Sequence, residues 1–315
     1  MVFMKDIVVL EEVTKKYGEK VAVDRISVNF EEGRITGFLG LNGAGKTTTM
    51  KIITTYFKPT SGKVFVDSFD AVENPYKVRK VIGYLPENFP IYDNLTVLDF
   101  LRFVAMAKDV VDVEKEVDKV IDLVGIKNYK NRFLKELSKG YKQRVGIAQA
   151  IIGEPKVIIL DEPTQGLDPA QIIEIRKLIK ELSHDKTIIL STHIMQEVEA
   201  ICDNVVIIHR GSIKLKGKIS DLKKEMQGYL TVEYFIDNMN EENKRVIVDV
   251  LKEFGLTPDF GINTFEFSIK KDDEYKMKEI NKKLIDSGVG VMYVNRSSVS
   301  MEDLFLKVIK EENNN

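Results

Sequence analysis

The sequence is short of cysteine, of net charge and of long apolar runs, and each shortage excludes a class of protein. Cys202 is the single cysteine among 315 residues, so an internal disulfide framework is excluded and a reducing cytosol is the expected compartment. The formal net charge of −2 leaves no global basic field to attract nucleic acid, although a local basic patch stays open. We therefore expect no nucleic-acid partner.

Long apolar segments are also missing. No window approaches the roughly 18 apolar residues that a spanning helix needs. The N-terminal stretch MVFMKDIVVLEEV is too short and too charged for a signal peptide. We expect a chain that is soluble on its own, so any membrane span must come from another chain. Apolar residues still make up 43% of the sequence, enough for a sizeable core in one large domain or two ordinary ones.

Strand-like and helical patterns alternate along most of the chain. Residues 6–39 have the pattern of β structure, with EEGR as a hairpin turn before ITGFLG, and a helix is predicted over 48–57. Apolar strand-like runs recur at 81–85, 156–161, 187–192 and 204–209, and a helical pattern covers 171–182. This alternation indicates a parallel sheet covered on both faces.

Two regions depart from that alternation. Residues of about 89–154 contain three segments with a 3.6-residue period, which predicts a helical insertion. From residue 229 the order is β-α-β-β-α-β, typical of a small ferredoxin-like domain, followed by a last helix. An apolar stripe is predicted on that helix from Met301, Leu304, Phe305, Val308 and Ile309, with a frayed tail after it. We expect domains at 1–222 and 223–315.

The stretch GLNGAGKTT fits the pattern G-x-x-x-x-G-K-[ST] between a predicted strand and a predicted helix. Glycines let backbone N–H groups converge on phosphate oxygens at a helix N-terminus, whose dipole favours anions. Lys46 would reach the β- and γ-phosphates, and the Thr47 hydroxyl would bind Mg²⁺. The alternative is a glycine-rich turn that happens to carry a lysine. The candidate nucleotide-binding residues are Gly40, Leu41, Asn42, Gly43, Ala44, Gly45, Lys46, Thr47 and Thr48.

Two carboxylates, Asp161 and Glu162, follow the apolar run VIIL where a buried strand would end. Ligands bind at that edge of open α/β sheets. Asp161 would hold Mg²⁺, directly or through water, and Glu162 would polarise an attacking water. The alternative is a solvated pair of carboxylates, which the upstream phosphate cradle makes the weaker interpretation.

Several motifs in a fixed order resemble those of the ATP-binding-cassette (ABC) ATPases. They are GLNGAGKTT, GYLPE, LSKGYKQR, VIILDEPT, GLD and STH, and together they span about residues 5–215. The resemblance implies an α/β P-loop NTPase cassette, with a mixed sheet core, an antiparallel β subdomain and a helical insertion, followed by a small C-terminal α+β ferredoxin-like domain.

The resemblance also implies residue roles. Tyr17 would stack on adenine, and His193 would touch the γ-phosphate as a catalytic residue beside Glu162 and Lys46. Ser138 and Gly140 would begin a helix that faces the ATP of a second copy, and Asp168 would lie at the seam between the copies. Three of these residues also have a plain structural alternative: Ser138 as an N-cap, His193 as a capping or core residue and Tyr17 as a strand aromatic.

Three positions differ from the usual family pattern. Glu87 stands where the family usually has glutamine; a carboxylate there can still face Mg²⁺ or water, so Glu87 joins Thr47 and Asp161 as a candidate metal-site residue. Lys139 and Tyr141 stand where glycine and glutamine are common, and Lys139 adds positive charge where a phosphate would arrive. These variants and the ending SSVSMEDLFLKVI resemble those of gliding-motility-type and drug-export-type cassette subunits.

The expected function is that of an ATPase subunit of a transporter, and an exporter in particular. ATP and Mg²⁺ are the implied cofactors, and a transmembrane permease and a second cassette, identical or paralogous, are the implied partners. The location would be the cytoplasmic face of the cell membrane. The apolar loop Phe89, Pro90, Ile91 and Tyr92 would receive a short helix of the permease; the alternative is that these residues only pack against the helical insertion. The alternatives are a soluble cassette ATPase acting on nucleic acid or ribosomes, and a cassette whose C-terminal domain senses a ligand.

Overall fold

The structure is a computed structural model that describes residues 5–90, 92–298 and 300–310. Ile91, the Val308 side chain and the tail 311–315, which figured in the sequence predictions, lie outside this description. The chain divides into two compact units, one ending at Ile219 and one beginning at Ser220, next to the predicted boundary between 222 and 223. None of the helices described is both long enough and apolar enough to cross a membrane.

The first unit contains two sheets with helices between their strands. Its elements are β1 (Asp6–Tyr17), β2 (Lys20–Glu31), β3 (Ile35–Leu39), α1 (Lys46–Ile53), β4 (Ser61–Val66), β5 (Phe69–Asp70), α2 (Pro75–Val81), β6 (Ile82–Leu85), α3 (Val97–Ala107), α4 (Val113–Leu123), α5 (Lys139–Ile151), β7 (Val157–Asp161), α6 (Pro169–Leu182), β8 (Thr187–Thr192), α7 (Met195–Ile201), β9 (Asn204–His209) and β10 (Ser212–Lys218). The helix α8 (Ile219–Gln227) lies at the division between the units.

The larger sheet has six strands in the order β10-β9-β3-β8-β7-β6. All neighbours are parallel except β10, which pairs antiparallel with β9. The carboxyl ends of β3, β7 and β8 therefore meet at one edge of the sheet. Ligands typically bind at the carboxyl ends of the strands in open α/β sheets. The segments that follow these strands begin at Gly40, Glu162 and His193.

The predicted hairpin between β2 and β3 is wrong, because the two strands lie in different sheets. β2 belongs to an antiparallel sheet of order β2-β1-β4-β5. Buried and exposed residues alternate along the C-terminal half of β2. β3 is buried at every position, as expected for a central strand covered on both faces. The turn EEGR therefore passes the chain from one sheet to the other.

The helix after the cradle also differs from the prediction. It was predicted over 48–57 and spans Lys46–Ile53. Gly45, with φ 111°, sets its beginning, and Thr55, with φ 62°, lies in a left-handed conformation just past its end. Lys46 is thus the first residue of α1, where the backbone N–H groups have no partner within the helix.

The predicted helical insertion consists of α3, α4 and α5 with short 3₁₀ turns between α4 and α5. Thr96 caps α3 by accepting a hydrogen bond from the Asp99 N–H at 3.1 Å. The end of α5 is held by the Lys108 ammonium, which donates to the carbonyls of Gln149, Ala150 and Ile152 at 3.2, 3.3 and 2.8 Å. Burial lowers the pKa of Lys108 to about 8.

Cys202 follows α7 and packs under the larger sheet. A Cβ added to Gly37 of β3 would lie 3.2 Å from its Sγ and closer still to Val198, so β3 needs glycine there for α7 to approach. Burial raises the pKa of the Cys202 thiol, with the charges of Asp203 and Glu197 adding to the shift.

The second unit has one four-stranded antiparallel sheet in the order β12-β13-β11-β14. Its core combines alternate residues of β11 and β13 with apolar stripes of the two helices between the strands, around the buried Tyr234. Its elements are β11 (Tyr229–Ile236), α9 (Glu241–Glu253), β12 (Asp259–Phe260), β13 (Thr264–Lys270), α10 (Met277–Asp286), β14 (Val291–Ser298) and α11 (Met301–Lys310), which before α11 is the β-α-β-β-α-β order predicted from the sequence.

Candidate functional site

The cradle is a tight turn between β3 and α1 that only glycine permits at two positions. A Cβ on Gly40 would lie 2.5 Å from the Ile208 carbonyl oxygen, and one on Gly45 would lie 2.7 Å from the Ala22 carbonyl oxygen. The Gly40 N–H donates to the Thr192 carbonyl at 3.3 Å, which ties the cradle to the end of β8. Close approach of the backbone to neighbouring strands therefore shapes the turn.

Lys46 lies folded over this turn and is nearly buried, at 6% exposure. Its Nζ donates to the Gly40 carbonyl at 2.8 Å and lies 3.3 Å from Glu162 Oε1. A desolvated ammonium held by a carbonyl and a carboxylate can exchange those partners for phosphate oxygens, which carry more charge. The structure thus brings Lys46 and Glu162 together, as the sequence predicts for one site.

Asp161 ends β7 in full burial, and neither of its carboxylate oxygens has a hydrogen-bond partner among the residues described. Burial raises its pKa; the nearby hydroxyls of Ser191 and Thr47 and the Lys46 ammonium oppose the shift, while the charge of Glu87 adds to it. A buried carboxylate without partners is costly unless a ligand completes it.

The residues around Asp161 fit Mg²⁺. This ion prefers oxygen ligands, keeps several waters, and is typically held by one or two carboxylates together with substrate phosphates. Asp161 and the neighbouring Thr47 hydroxyl are such donors. Within the described part of the chain no cluster of three or more His, Cys, Asp or Glu side chains could hold a metal ion.

Glu162 bridges two other candidate residues. Its Oε2 lies 2.9 Å from His193 Nδ1, and its Oε1 faces Lys46. Its backbone is left-handed, with φ 52°, while its N–H donates to the Ser191 carbonyl at 2.9 Å. A non-glycine residue in this conformation costs about 1–3 kcal/mol and persists where its surroundings fix it. The predicted catalytic residues Glu162, His193 and Lys46 therefore form one contiguous group.

Glu87 lies after β6 with its side chain exposed, close enough for its charge to raise the pKa of Asp161. Tyr84, two residues before Pro86, was not among the sequence candidates. Its hydroxyl is buried without a hydrogen-bond partner among the residues described, and burial, followed by the charges of Asp161 and Glu87, raises its pKa. The signal in the sequence was the place of Tyr84 within the motif GYLPE, one residue before the end of an apolar strand and three residues before Glu87.

Tyr17, at the end of β1, is 44% exposed, so one part of its ring is free for a planar ligand. Its ring meets Phe57 edge-on with centroids 5.8 Å apart, and Lys15 Nζ lies 5.3 Å from the Tyr17 centroid. A buttressed, partly exposed ring can stack on a base.

Two of the residues predicted to act on a second copy, Gly140 and Asp168, lie beside Gln171. A Cβ on Gly140 would lie 2.6 Å from Gln171 Oε1, and Asp168 caps α6 by accepting from the Gln171 N–H at 2.9 Å. Ser138 stands at the N-cap of α5, but its side chain makes no capping hydrogen bond. The Lys139 ammonium lies against Gly166, too close for a Cβ at that position. Ser138, Lys139 and Asp168 are exposed.

Three comparisons place these features beside known proteins. A family model described as "ABC transporter" matches residues 23–165. The bacitracin transport ATP-binding protein BcrA of Bacillus licheniformis is 33% identical over 317 residues, covering 97% of this chain and 98% of that protein.

Solved structures of ABC cassettes also resemble this chain. A structure described as the ATP binding subunit of an ABC transporter has a TM-score of 0.64 at 30% identity, covering 70% of this chain and 92% of that one. The dimeric post-hydrolysis structure of the cassette MJ0796, bound to ADP and Pi, has a TM-score of 0.62 at 27% identity, covering 67% of this chain and 98% of that one.

Proposed function

This chain belongs to the ABC transporter family as an ATP-binding subunit, an ATPase that uses ATP and Mg²⁺, and we propose that it powers a separate membrane-spanning chain by pairing around ATP. The observation that carries the proposal is the edge of the sheet at Asp161. Its carboxylate is fully buried with no hydrogen-bond partner among the residues that the structure describes, and it lies next to Glu162, which joins Lys46 to His193.

The residues of the proposed site have different roles in ATP hydrolysis. The cradle N–H groups and Lys46 bind the phosphates, and Asp161 with Thr47 would hold Mg²⁺, which when bound neutralises phosphate charge. Lys46 leaves Glu162 when it turns to the phosphates, so the Glu162 carboxylate becomes free to polarise the attacking water. His193 Nδ1 orients that carboxylate, and Tyr17 receives the adenine ring.

We propose that each active site is completed by a second copy or a paralogue. Ser138 offers a hydroxyl without a capping partner, Lys139 lies in the first turn of α5, and Asp168 is exposed beside them. The dimeric state of the MJ0796 cassette bound to ADP and Pi supports pairing in a relative of the same fold. ATP favours the closed pair because its phosphates touch both copies only in that state.

The test of this role is Glu162→Gln. We expect ATP hydrolysis to fall by about 10²–10³-fold, because one group aligned with the transition state is lost, while ATP still binds and the protein accumulates as a dimer. Steady-state ATPase and size exclusion with ATP measure the two effects. Glu181→Gln, an exposed carboxylate of α6, is the matched control. Normal turnover by Glu162→Gln would contradict the assigned role.

We further propose that the permease docks on an aromatic surface of the helical insertion. Tyr92 is 48% exposed, and its ring centroid lies 5.8 Å from that of Phe100 and 6.4 Å from that of Phe103. Phe103 and Met106, on the same helix α3, are 52% and 60% exposed. Phe89 instead packs inward against the insertion core, so the alternative that this loop only covers the insertion holds for Phe89. Apolar area of this kind on a surface marks a contact site.

Docking predicts that Tyr92→Asp uncouples transport while basal ATPase stays within about two-fold, since the surface lies outside the catalytic group. Tyr76→Asp, another exposed aromatic position, controls for the added charge. Unchanged transport by Tyr92→Asp would count against this surface. We propose an outward direction of transport and a location at the cytoplasmic face of the membrane, on the strength of the signature and tail variants and of the bacitracin-transport relatives.

We also propose residues 223–315 as a separate accessory domain. The division of the structure after Ile219 supports this boundary. Limited proteolysis of the full chain is expected to cut first near residues 219–228, giving two resistant fragments; first cuts inside β11 or β13 would contradict it.

A further inference from the structure

Glu197 is a buried carboxylate to which the roles above assign no task. It lies in the first turn of α7 and is 1% exposed. Within residues 5–90, 92–298 and 300–310, no lysine, arginine or histidine lies within ion-pair distance of it. A charge is not buried without compensation, so its hydrogen bonds identify what it serves.

Two threonine hydroxyls supply those hydrogen bonds, one to each carboxylate oxygen. Thr164 Oγ1 donates to Oε1, and Thr192 Oγ1 donates to Oε2 at 2.7 Å. The Thr192 hydroxyl also accepts from the Ile194 N–H at 3.1 Å, so its orientation is fixed. Both threonines are buried, and this network is shielded from water.

The two threonines belong to the two strand ends that carry the candidate catalytic residues. Thr164 lies two residues after Glu162, and Thr192 directly precedes His193. The Thr192 carbonyl accepts from the Gly40 N–H of the cradle. A single carboxylate therefore links the loop of Glu162 to the loop of His193, and through Thr192 to the cradle.

We propose that Glu197 is a positioning residue for ATP hydrolysis, which sets Glu162 against His193 by holding Thr164 and Thr192 together. The inference rests on the proposed roles of Glu162 and His193. A carboxylate suits this task because both of its oxygens accept hydrogen bonds, whereas an amide offers one acceptor and one donor group. Glu162 needs such support because its left-handed backbone is fixed by its surroundings.

The first test is Glu197→Gln, which keeps the shape of the side chain. We expect kcat for ATP hydrolysis to fall at least about tenfold, because small displacements of reacting groups cost up to about 10²-fold. KM for ATP and nucleotide affinity should stay within about twofold. Glu181→Gln, exposed on α6, is the control for charge removal and should match the wild type. A kcat within twofold of the wild type, or a parallel loss of affinity, would overturn the proposal.

The threonines provide a second test, and its Thr192 variants do not depend on the folding of the Glu197 variant. Thr192→Val removes the hydroxyl and should lower kcat with KM unchanged, and Thr192→Ser, which keeps the hydroxyl, should restore most of it. Thr164→Val should cost less in the Glu197→Gln background than in the wild type, because the shared hydrogen bond is already lost. Additive effects, or no rescue by serine, would overturn the proposal.

A third measurement separates this inference from the proposed function. In a Glu162→Gln background, Glu197→Gln should leave ATP-induced pairing intact, because pairing precedes hydrolysis. The positioning role would be overturned if the double variant fails to pair with ATP while the Glu162→Gln single variant still pairs. Normal turnover by Glu162→Gln alone would overturn the proposed function, whatever the Glu197 variants show.

Discussion

Asp161 and Lys108 are both charged side chains held away from water, yet their surroundings differ. Neither oxygen of Asp161 has a hydrogen-bond partner among the described residues, whereas the Lys108 ammonium donates to three carbonyls at the end of α5. Burial favours the neutral form of both side chains, so it raises the pKa of Asp161 and lowers the pKa of Lys108.

We interpret Asp161 as a ligand-binding group and Lys108 as a group that stabilises the fold. Lys108 satisfies carbonyls that a helix end leaves open, so removing it should act on stability. Neither oxygen of Asp161 completes a hydrogen bond within the described part of the chain, so removing the carboxylate should act on catalysis. The following changes test that distinction, from the largest expected effect to the smallest.

Asp161→Asn should abolish most of the ATPase activity, with a loss of about 10²–10³-fold, because the carboxylate that would hold Mg²⁺ is gone. Stability without nucleotide should stay equal or rise, since an unpartnered buried charge is removed. ATPase assays with a Mg²⁺ titration and thermal unfolding measure the two. An Asp161→Asn variant that stays active, or that is much less stable than the wild type, would contradict the assignment of Asp161 to catalysis rather than to stability.

Lys108→Met should lower the free energy of unfolding by about 1–3 kcal/mol, because buried carbonyls at the end of α5 lose their donor. ATPase per folded molecule should change little. Urea unfolding monitored by circular dichroism measures the first effect. Lys115→Met, an exposed lysine of α4, is the control. Equal stability of the two variants would show that Lys108 is not needed for the cap.

The depressed pKa of Lys108 also predicts a dependence on pH. Its folded pKa is about 8 and the ordinary value is 10.5, so between these values the unfolded chain binds more protons than the folded one. The free energy of unfolding of the wild type, relative to Lys108→Met, should therefore rise with pH through that window, by at most about 1.4 kcal/mol per unit. Urea unfolding from pH 7 to 10 measures it. A falling difference would contradict the sign.

Lys139 is a third case, a charge without an ion-pair partner in the described chain but exposed to solvent. At the beginning of a helix a cation is unfavourable, so the proposed phosphate of a second copy would compensate it. Lys139→Gln in a Glu162→Gln background should weaken ATP-induced pairing by about two- to fivefold, more at low salt. Tighter pairing would indicate that Lys139 opposes the second copy.

The cradle and the strand-end carboxylates were predictable because their signals are local. Gly40, Gly45 and Lys46 form one continuous motif, and Asp161 ends an apolar run long enough to be a buried strand. The structure brings Lys46, Glu162 and His193 together from three strand ends, which the parallel order of those strands implies.

The errors have physical reasons too. A turn that joins two strands of one sheet has the same local sequence as one that passes between sheets, so EEGR gave no sign of which it was. The early start of α1 depends on the left-handed Gly45, which the β-branched threonines after Lys46 obscure. The sequence does not single out Glu197, because its hydrogen-bond partners Thr164 and Thr192 lie on other segments and carry no local signal.

The packing of Cys202 has a practical consequence. The Cys202 side chain is half-buried and burial raises the pKa of its thiol, so we expect little reactive thiolate at neutral pH and slow reaction with maleimides. Since the chain has no other cysteine, the natural protein serves as its own unlabelled background. One cysteine introduced on an exposed position of α6 would then carry a fluorophore at a defined place, and energy transfer between labelled copies would follow their association as nucleotide is bound and consumed.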